Sequence, residues 1–254
     1  MNAEAYIICA TPRSGSTLLC DLLAGSGAAG RPDSFYRSQS IADFVRDLSV
    51  PATDGIEGAA FDRVYLDAVR REGRGDTAVF GLRLMWSSVA ELSRRLDGLF
   101  PGLPSDAARF ERAFGEPLYL HLSRQDKVAQ AVSRLKAEQT GLWHVAADGS
   151  ERERSAPPAP PAYDADRLET FMAEASADEA AWSRWFKEQD VEPLSLTYEA
   201  LSADPPSVLA KVLKALGQDP ARAAAAAVRT SRMADAESIT WAARYRASGR
   251  SIAG

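Results

Sequence analysis

Residues that commonly build disulfide frameworks and metal sites are scarce in this chain. It has two cysteines, Cys9 and Cys20, and two histidines, His121 and His144, among 254 residues. Two cysteines are too few for a disulfide framework, and the histidines and cysteines show no metal-ligand spacing. The sequence therefore predicts no metal, and we expect a reducing, cytoplasmic setting.

Long hydrophobic runs and an excess of basic charge are also missing. The longest early apolar run, Tyr6–Ala10, is too short for a signal-peptide core or a membrane span. The formal net charge is −5, from 35 acidic and 30 basic residues, whereas nucleic-acid binders usually carry a basic excess. The sequence thus predicts neither a membrane partner nor a nucleic-acid partner, and any basic site has to be local.

The chain does have enough apolar residues for a sizeable core. They make up 46% of the sequence, and its length suits one large domain, predicted here over residues 1–254. Four short β-prone runs lie far apart along the chain: Tyr6–Ala10, Ala78–Leu82, Leu118–Leu122 and Leu194–Tyr198.

Helical patterns fill the long stretches between these runs. Capping signals at Ser40 and Ser88, and the pair Asp204-Pro205, predict three of the helix starts. Strands separated by helices need crossover connections, so the pattern predicts a mostly parallel sheet with helices on both faces. A proline-rich and charge-rich segment near residues 147–163 is interpreted as a flexible loop or lid within the domain.

The first strand pattern leads directly into a polar loop, Thr11–Thr17, and then into a helix. A helix start has free backbone N–H groups that bind anions. Gly15 permits a close backbone approach, and Arg13 adds a planar cation suited to a phosphate. An ordinary polar turn is the alternative interpretation. The glycine and lysine of a Walker A motif are absent, and Arg13 lies too near Cys9 for a phosphatase-type loop.

The segment Pro12–Leu19 resembles the 5′-phosphosulfate loop of sulfotransferases. It is most similar to the trehalose 2-sulfotransferase-like group, which has arginine where the cytosolic eukaryotic enzymes have lysine. Further segments resemble that group in the same order, among them Leu84–Trp86, His121–Ser133, Trp182–Phe186 and Leu216–Pro220.

This resemblance implies an α/β fold of the P-loop-kinase-like, three-layer type, with a mostly parallel central sheet flanked by helices. It also implies 3′-phosphoadenosine 5′-phosphosulfate (PAPS) as co-substrate, without a metal. The residues that it assigns to the 5′-phosphosulfate are Arg13, Ser14, Gly15, Ser16 and Thr17.

A second anion site is predicted where the third strand pattern ends. Arg124 follows this strand, and Ser133 lies about two turns into the next helix. The pair resembles the sulfotransferase site for the 3′-phosphate of PAPS. From the residues alone, the alternative is that Arg124 pairs with Asp126 while Ser133 faces solvent.

Two further positions are assigned to the nucleotide. Tyr198, at the end of the fourth strand pattern, resembles a tyrosine of the sulfotransferases and is assigned to the adenosine pocket. A core tyrosine is the alternative. Trp241, Arg244 and Tyr245 share one face of a predicted helix, since they are three and four residues apart. This face either closes over the nucleotide, with Arg244 as a ligand, or only docks the last helix.

Transfer to a hydroxyl needs a base that removes its proton. In the trehalose-enzyme group the segment that resembles residues 30–36 carries a glutamate proposed for this role, and Ser34 occupies the matching position here. We expect the adjacent Asp33 to act as the base, with His121 as the other titratable candidate, and we expect His144 to approach the acceptor. The residues assigned to catalysis are Asp33, Arg13 and Ser34.

The predicted acceptor pocket consists of Arg83, Trp86 and Trp143, because Arg83 and Trp86 follow the second strand and aromatic rings suit sugar faces.

The predicted function is sulfuryl transfer from PAPS to a hydroxyl of a small acceptor, and the resemblance implies that this acceptor is a carbohydrate. The resemblance also allows a homodimer. Two alternatives stay open, a nucleotide-dependent phosphotransferase and a non-catalytic nucleotide-binding protein. All of this requires Arg13 and Arg124 to lie close enough for one nucleotide to bridge them.

Overall fold

Strands and helices alternate along the residues that the computed structural model describes, which are 3–48, 50, 57–146, 148–226 and 235–250. The strands are β1 (Ala5–Ala10), β2 (Phe80–Met85), β3 (Pro117–Ser123), β4 (Leu142–Val145), β5 (Glu151–Arg154) and β6 (Leu194–Thr197). The helices are α1 (Ser16–Gly25), α2 (Ile41–Asp47), α3 (Gly58–Arg74), α4 (Trp86–Leu99), α5 (Asp106–Phe114), α6 (Lys127–Thr140), α7 (Ala165–Glu188), α8 (Tyr198–Ala203), α9 (Pro205–Ala215) and α10 (Ala236–Ala247). None of the described helices combines the length and the apolar character needed to cross a bilayer.

The four strands predicted from the sequence form one parallel sheet in the order β2-β1-β3-β6. β1 lies in the middle, and all six of its residues are buried, as expected for a strand with both faces covered. Cys9 of β1 lies opposite Leu84 of β2 and His121 of β3. The predicted α/β fold with a mostly parallel sheet flanked by helices is confirmed.

Hydrophobic clusters cover both faces of this sheet. Ile7 of β1 faces the cluster that contains residues of α3, α4, α5 and α7. Ile8 faces the opposite cluster, which contains residues of α1 and α9. Successive strand residues point to opposite faces, so a single strand contributes to both clusters. A third cluster joins α6, α7 and α10 and thereby places α10 beside the end of the sheet.

The helix starts show where local signals succeed and where they fail. α9 begins at Pro205, and Asp204 Oδ1 caps it by accepting from Ser207 N at 3.0 Å, as predicted. The start predicted at Ser88 is wrong, because β2 runs directly into α4 at Trp86. Met85, the last residue of β2, is also the N-cap of α4, and it makes no side-chain capping hydrogen bond.

The segment predicted as a flexible loop begins as regular structure. β4 and β5 form an antiparallel hairpin, so Glu151–Arg154 is a strand; residue 147 lies outside the described residues. Trp143 Nε1 donates to Ser155 Oγ at 2.9 Å across the end of the hairpin. The charged sequence of β5 has no apolar alternation, and its pairing with β4 is what defines it as a strand.

Candidate functional site

A cavity of about 1220 Å³ opens at the carboxyl end of the parallel sheet. Each strand delivers a residue to its wall: Arg13 follows β1, Met85 ends β2, Arg124 follows β3 and Tyr198 follows β6. This is the edge at which open α/β sheets bind ligands. Among the described residues, eight basic and five acidic side chains line the cavity, which is a local basic excess in a chain of net charge −5. In the described part of the chain, no three His, Cys, Asp or Glu side chains are grouped to hold a metal ion.

The loop between β1 and α1 has the features of an anion cradle. Gly15 precedes α1 with a φ of 88°, and no side chain caps the helix start. A Cβ on Gly15 would lie 2.5 Å from Cδ2 of Tyr198, so only glycine fits beneath this ring. The buried Ser14 Oγ has no hydrogen-bond partner among the described residues. Free N–H groups and an unsatisfied hydroxyl fit an oxyanion.

Arg13 adds positive charge to this cradle. Its φ of 63° lies in the left-handed region, which costs a non-glycine residue about 1–3 kcal/mol, and residues with such strain cluster at functional sites. Nε donates to Ser133 Oγ at 2.9 Å, and Nη1 donates to Trp143 O at 2.6 Å. Burial, together with the charge of Arg124, lowers the pKa of Arg13 to about 10, so the guanidinium stays protonated at neutral pH.

Arg124 belongs to the same cluster as Arg13. Its Nη1 donates to Arg13 O at 3.1 Å, and its guanidinium lies 4.3 Å from the centre of the Tyr198 ring. Ser133 lines the cavity, so its side chain does not face only bulk solvent. Asp126 accepts a hydrogen bond from Arg246 Nη2 at 2.7 Å. The two predicted anion sites thus meet in one cavity, as a single nucleotide requires.

Gln130 was not singled out from the sequence, and it anchors the loop from behind. Its Nε2 donates to Thr11 Oγ1 at 2.9 Å and to Pro12 O at 2.7 Å, and the residue is 2% exposed. Gln130 precedes Ser133 by three residues on α6, so both side chains reach the same end of the sheet. This i, i+3 spacing is a signal that the sequence did contain.

The predicted acceptor residues fall in two different places. Arg83 and Trp143 line the cavity, and Arg83 Nη1 donates to Thr17 Oγ1 at 2.8 Å. Trp86 lies in the core, where its ring meets Trp182 edge-on at 5.2 Å, and it does not line the cavity. The earlier start of α4 makes Trp86 its first residue and turns the ring toward α7.

Asp33 and Ser34, both assigned to catalysis from the sequence, also separate. Asp33 forms an isolated bridge with Leu82 beside the sheet, and its side chain is 50% exposed and outside the cavity lining. Its Oδ1 accepts from Arg83 Nη2 at 3.1 Å and from Ser34 N at 2.6 Å. Ser34 is 8% exposed, lines the cavity and accepts from Arg83 Nε at 2.7 Å.

His144 lies at the cavity, whereas His121 does not. His144 is on β4, and its Nε2 is 3.1 Å from Thr17 Oγ1 and 3.5 Å from Glu153 Oε2. Burial and the neighbouring arginines lower the pKa of His144 to about 3, so the ring is neutral at pH 7. His121 packs against Phe186 of α7, with ring centres 5.3 Å apart. Glu153 carries no sequence signal, since it lies in a run of alternating charges.

The last helix contributes to the site through a different arginine from the one predicted. Arg244 is exposed and stacks on Tyr163 at 3.9 Å, outside the cavity lining. Arg246 lines the cavity. Trp241 and Tyr245 are buried in the cluster between α6, α7 and α10, so this face docks the helix.

Comparison with known proteins finds sulfotransferases. A model of the Stf0 sulphotransferase family matches residues 5–248. A trehalose 2-sulfotransferase of Mycobacterium tuberculosis (strain ATCC 35801 / TMC 107 / Erdman) is 33% identical, over 95% of this chain and 94% of that protein. One of Mycolicibacterium smegmatis is 32% identical, over 96% of this chain and 95% of that protein.

Solved structures that resemble this chain include two sulfotransferases at lower identity. The sulfotransferase domain from the Synechococcus PCC 7002 olefin synthase has a TM-score of 0.48 and 18% identity, with 96% of this chain and 95% of that chain covered. A sulfotransferase from Alicyclobacillus acidocaldarius has a TM-score of 0.42 and 16% identity, with 97% and 95% covered.

Proposed function

Because this chain belongs to the Stf0 sulphotransferase family, we propose that it transfers the sulfuryl group of PAPS to a hydroxyl of a small carbohydrate. The observation that carries the proposal is the junction of the two predicted anion sites, where Arg124 Nη1 lies 3.1 Å from Arg13 O. A nucleotide with phosphates at its 3′ and 5′ ends needs two such sites within one cavity. The carbohydrate is proposed because both curated relatives are trehalose 2-sulfotransferases.

The donor is proposed to bind along the loop and α6. The 5′-phosphosulfate lies against Arg13 and the uncapped start of α1, where the unsatisfied Ser14 hydroxyl supplies a donor. Arg124 and Ser133 hold the 3′-phosphate, and Tyr198 borders the adenosine. The remaining loop ligands in this proposal are Gly15, Ser16 and Thr17.

The acceptor is proposed to lie on the opposite side of the loop, near Arg83, Ser34 and Trp143. The cavity of about 1220 Å³ exceeds the roughly 300–1000 Å³ usual for one drug-sized ligand, which leaves room for a sugar beside the nucleotide. Arg83 reaches Thr17, so its charge lies next to the loop that receives the reacting group. Fixed cations and N–H groups of this kind stabilise charge that develops during group transfer.

Binding of the product nucleotide, 3′-phosphoadenosine 5′-phosphate (PAP), tests the donor site. At about 100 times its Kd, PAP should raise the Tm by roughly 5–10 °C, which corresponds to about 2.7 kcal/mol of ligand stabilisation. Arg124→Ala should abolish most of this shift, because it removes one of the two central cations. Arg244→Ala is the matched control and should keep the shift, since Arg244 lies on Tyr163. A wild-type protein that shows no shift with PAP contradicts the proposal.

Turnover is tested with PAPS and a panel of sugars that begins with trehalose, with detection of the sulfated sugar by mass spectrometry. A sulfated product supports the proposal. A PAP shift without product from any sugar or alcohol would favour the non-catalytic alternative, in which serine at position 34 in place of the glutamate has ended turnover. A larger Tm shift with ATP and Mg²⁺ than with PAP would favour a phosphotransferase.

A further inference from the structure

Sulfuryl transfer to a hydroxyl needs a proton acceptor, and neither residue of the Asp33-Ser34 pair fits that role. Ser34 is not basic at neutral pH, and Asp33 lies outside the cavity lining with its carboxylate bound to Arg83. We propose that His144 Nε2 takes the proton of the acceptor hydroxyl and that Glu153 is the counterion of the imidazolium that forms. The inference rests on the proposed sulfotransferase function.

The hydrogen bonds at Thr17 allow a lone pair on His144 Nε2. Arg83 Nη1 can only donate, so Thr17 Oγ1 accepts from it at 2.8 Å. The Thr17 hydroxyl proton is then free to point at His144 Nε2, which is 3.1 Å away. Nε2 accepts this bond in the tautomer with its proton on Nδ1. The same nitrogen therefore borders the donor loop and is able to accept a proton from a hydroxyl bound there.

The hairpin holds Glu153 in position for the charged product of this step. His144 and Glu153 are paired residues on β4 and β5, and Glu153 Oε2 lies 3.5 Å from Nε2. Glu153 Oε1 meanwhile accepts from Arg37 Nη1 at 3.4 Å. The Glu153 carboxylate is thus fixed near Nε2 without a hydrogen bond to it, and it gains one when Nε2 becomes protonated. Glu153 is a positioning residue, and His144 is the catalytic residue.

The charges around His144 couple the base to the donor. Burial and four arginines keep the ring neutral in the free protein. The groups that face it are Arg13, Arg37, Arg83, Arg152, Glu153 and Thr17. An anionic nucleotide on the loop offsets the charge of Arg13 and Arg83, and this raises the proton affinity of His144. The proton affinity of His144 is therefore higher when the donor is bound than in the free protein.

The proposed step balances in atoms and charge. The acceptor hydroxyl gives its proton to His144 Nε2, and its oxygen forms a new bond to sulfur. The bond from sulfur to the bridging oxygen of the 5′-phosphosulfate breaks, and that oxygen leaves with the bonding electrons as part of PAP. The imidazolium, paired with Glu153, returns its proton to solvent after the products leave. Thr17 turns its hydroxyl proton toward the transferred group while the acceptor occupies its place at Nε2.

Ring ¹⁵N NMR tests the proposal without an acceptor, because the chain has only two histidines. His121→Gln leaves the signals of His144 alone in the spectrum. We expect an Nδ1–H tautomer, and a pKa of His144 that rises by at least about one unit when PAP binds. Glu153→Gln should lower this pKa in the complex, and Glu153→Asp should restore part of it.

Four results would decide against this inference. An Nε2–H tautomer in the PAP complex shows that His144 is not the base. A His144 pKa that does not change with PAP, while the Trp143 signals do move, shows the same. Either result leaves the proposed donor site intact. PAP that moves no signal at all overturns the proposed function and the base with it. Once an acceptor is known, His144→Gln should lower kcat by about 100-fold or more with PAP affinity unchanged. Equal kcat in His144→Gln and His121→Gln overturns the inference.

Discussion

At the scale of single residues, the loop between β1 and α1 depends on contacts between residues distant in sequence. Arg13 bonds Ser133, which lies 120 residues away, and Gln130 holds Thr11 from behind. Tyr198 covers Gly15 so closely that a Cβ on this glycine has no room. The conformation of this loop therefore depends on the packing of α6 and the end of β6 against it.

Gly15→Ala should weaken PAP binding by at least about tenfold, because alanine is strained at a φ of 88° and its methyl group displaces the Tyr198 ring. Calorimetric titration with PAP measures this loss. Gly98→Ala is the matched control, since it lies in α4 with no atom within 4 Å of the added Cβ. The control should keep the wild-type affinity and equal or slightly exceed the wild-type stability. If Gly15→Ala keeps the wild-type affinity for PAP, the loop accommodates the added methyl group without loss of binding.

At the scale of elements, the β4–β5 hairpin is the part that brings His144 and Glu153 to the cavity. It is tied to α1 by Arg152, whose Nη1 donates to Asp21 Oδ2 at 2.6 Å. Asp21 is 7% exposed, so Arg152 is the cation that compensates a buried carboxylate. This ion pair is thus one of the contacts that hold the proposed base at the cavity, together with the hydrogen bond from Arg13 to Trp143 O.

Arg152→Ala should lower the free energy of unfolding by about 1–3 kcal/mol, because it leaves the buried Asp21 carboxylate without its partner. Urea unfolding measures this change, and hydrogen exchange should show faster exchange in residues 142–145 and 151–154. Arg46→Ala is the control, since Arg46 pairs with Asp43 and Asp47 on an exposed surface and should have no measurable effect. Equal effects of the two substitutions would mean that the hairpin docks without this ion pair.

At the scale of the whole molecule, both histidines couple stability to pH. Burial lowers the pKa of His121 and of His144, the latter to about 3 with help from the arginines. In the unfolded chain a histidine protonates near pH 6.5. The unfolded state thus binds more protons than the folded state between about pH 3 and pH 6.5, so stability falls as the pH falls through this window.

When the pH falls from 7 to 5, the different proton binding of His144 in the unfolded and folded states should by itself lower the free energy of unfolding by about 2 kcal/mol. Ordinary carboxylates stay ionised in both states over this range. Urea unfolding at several pH values gives this slope. His144→Gln should make the free energy of unfolding less dependent on pH. His121→Gln should leave the contribution of His144 to this pH dependence unchanged. A slope that is unchanged in His144→Gln would show that the pKa of this histidine is the same in the folded and unfolded states.

Much of this protein is encoded locally. The four sheet strands, most helices and the loop from Arg13 to Thr17 follow from short-range periodicity and backbone preferences, which neighbouring residues determine. Their parallel arrangement follows as well, because helical connections impose it. Parallel strands end at one edge of a sheet, so the meeting of Arg13 and Arg124 is already contained in the order of elements.

The tertiary structure decided which side chains face the cavity. Trp86 enters the core because α4 begins at the end of β2, and Arg244 stacks on Tyr163 because Trp241 and Tyr245 dock their helix face. The pairing of His144 with Glu153 and their approach to Thr17 depend on a hairpin whose second strand has no apolar pattern. Such orientations follow from packing between residues that are distant in sequence, and a local stretch of sequence does not determine this packing.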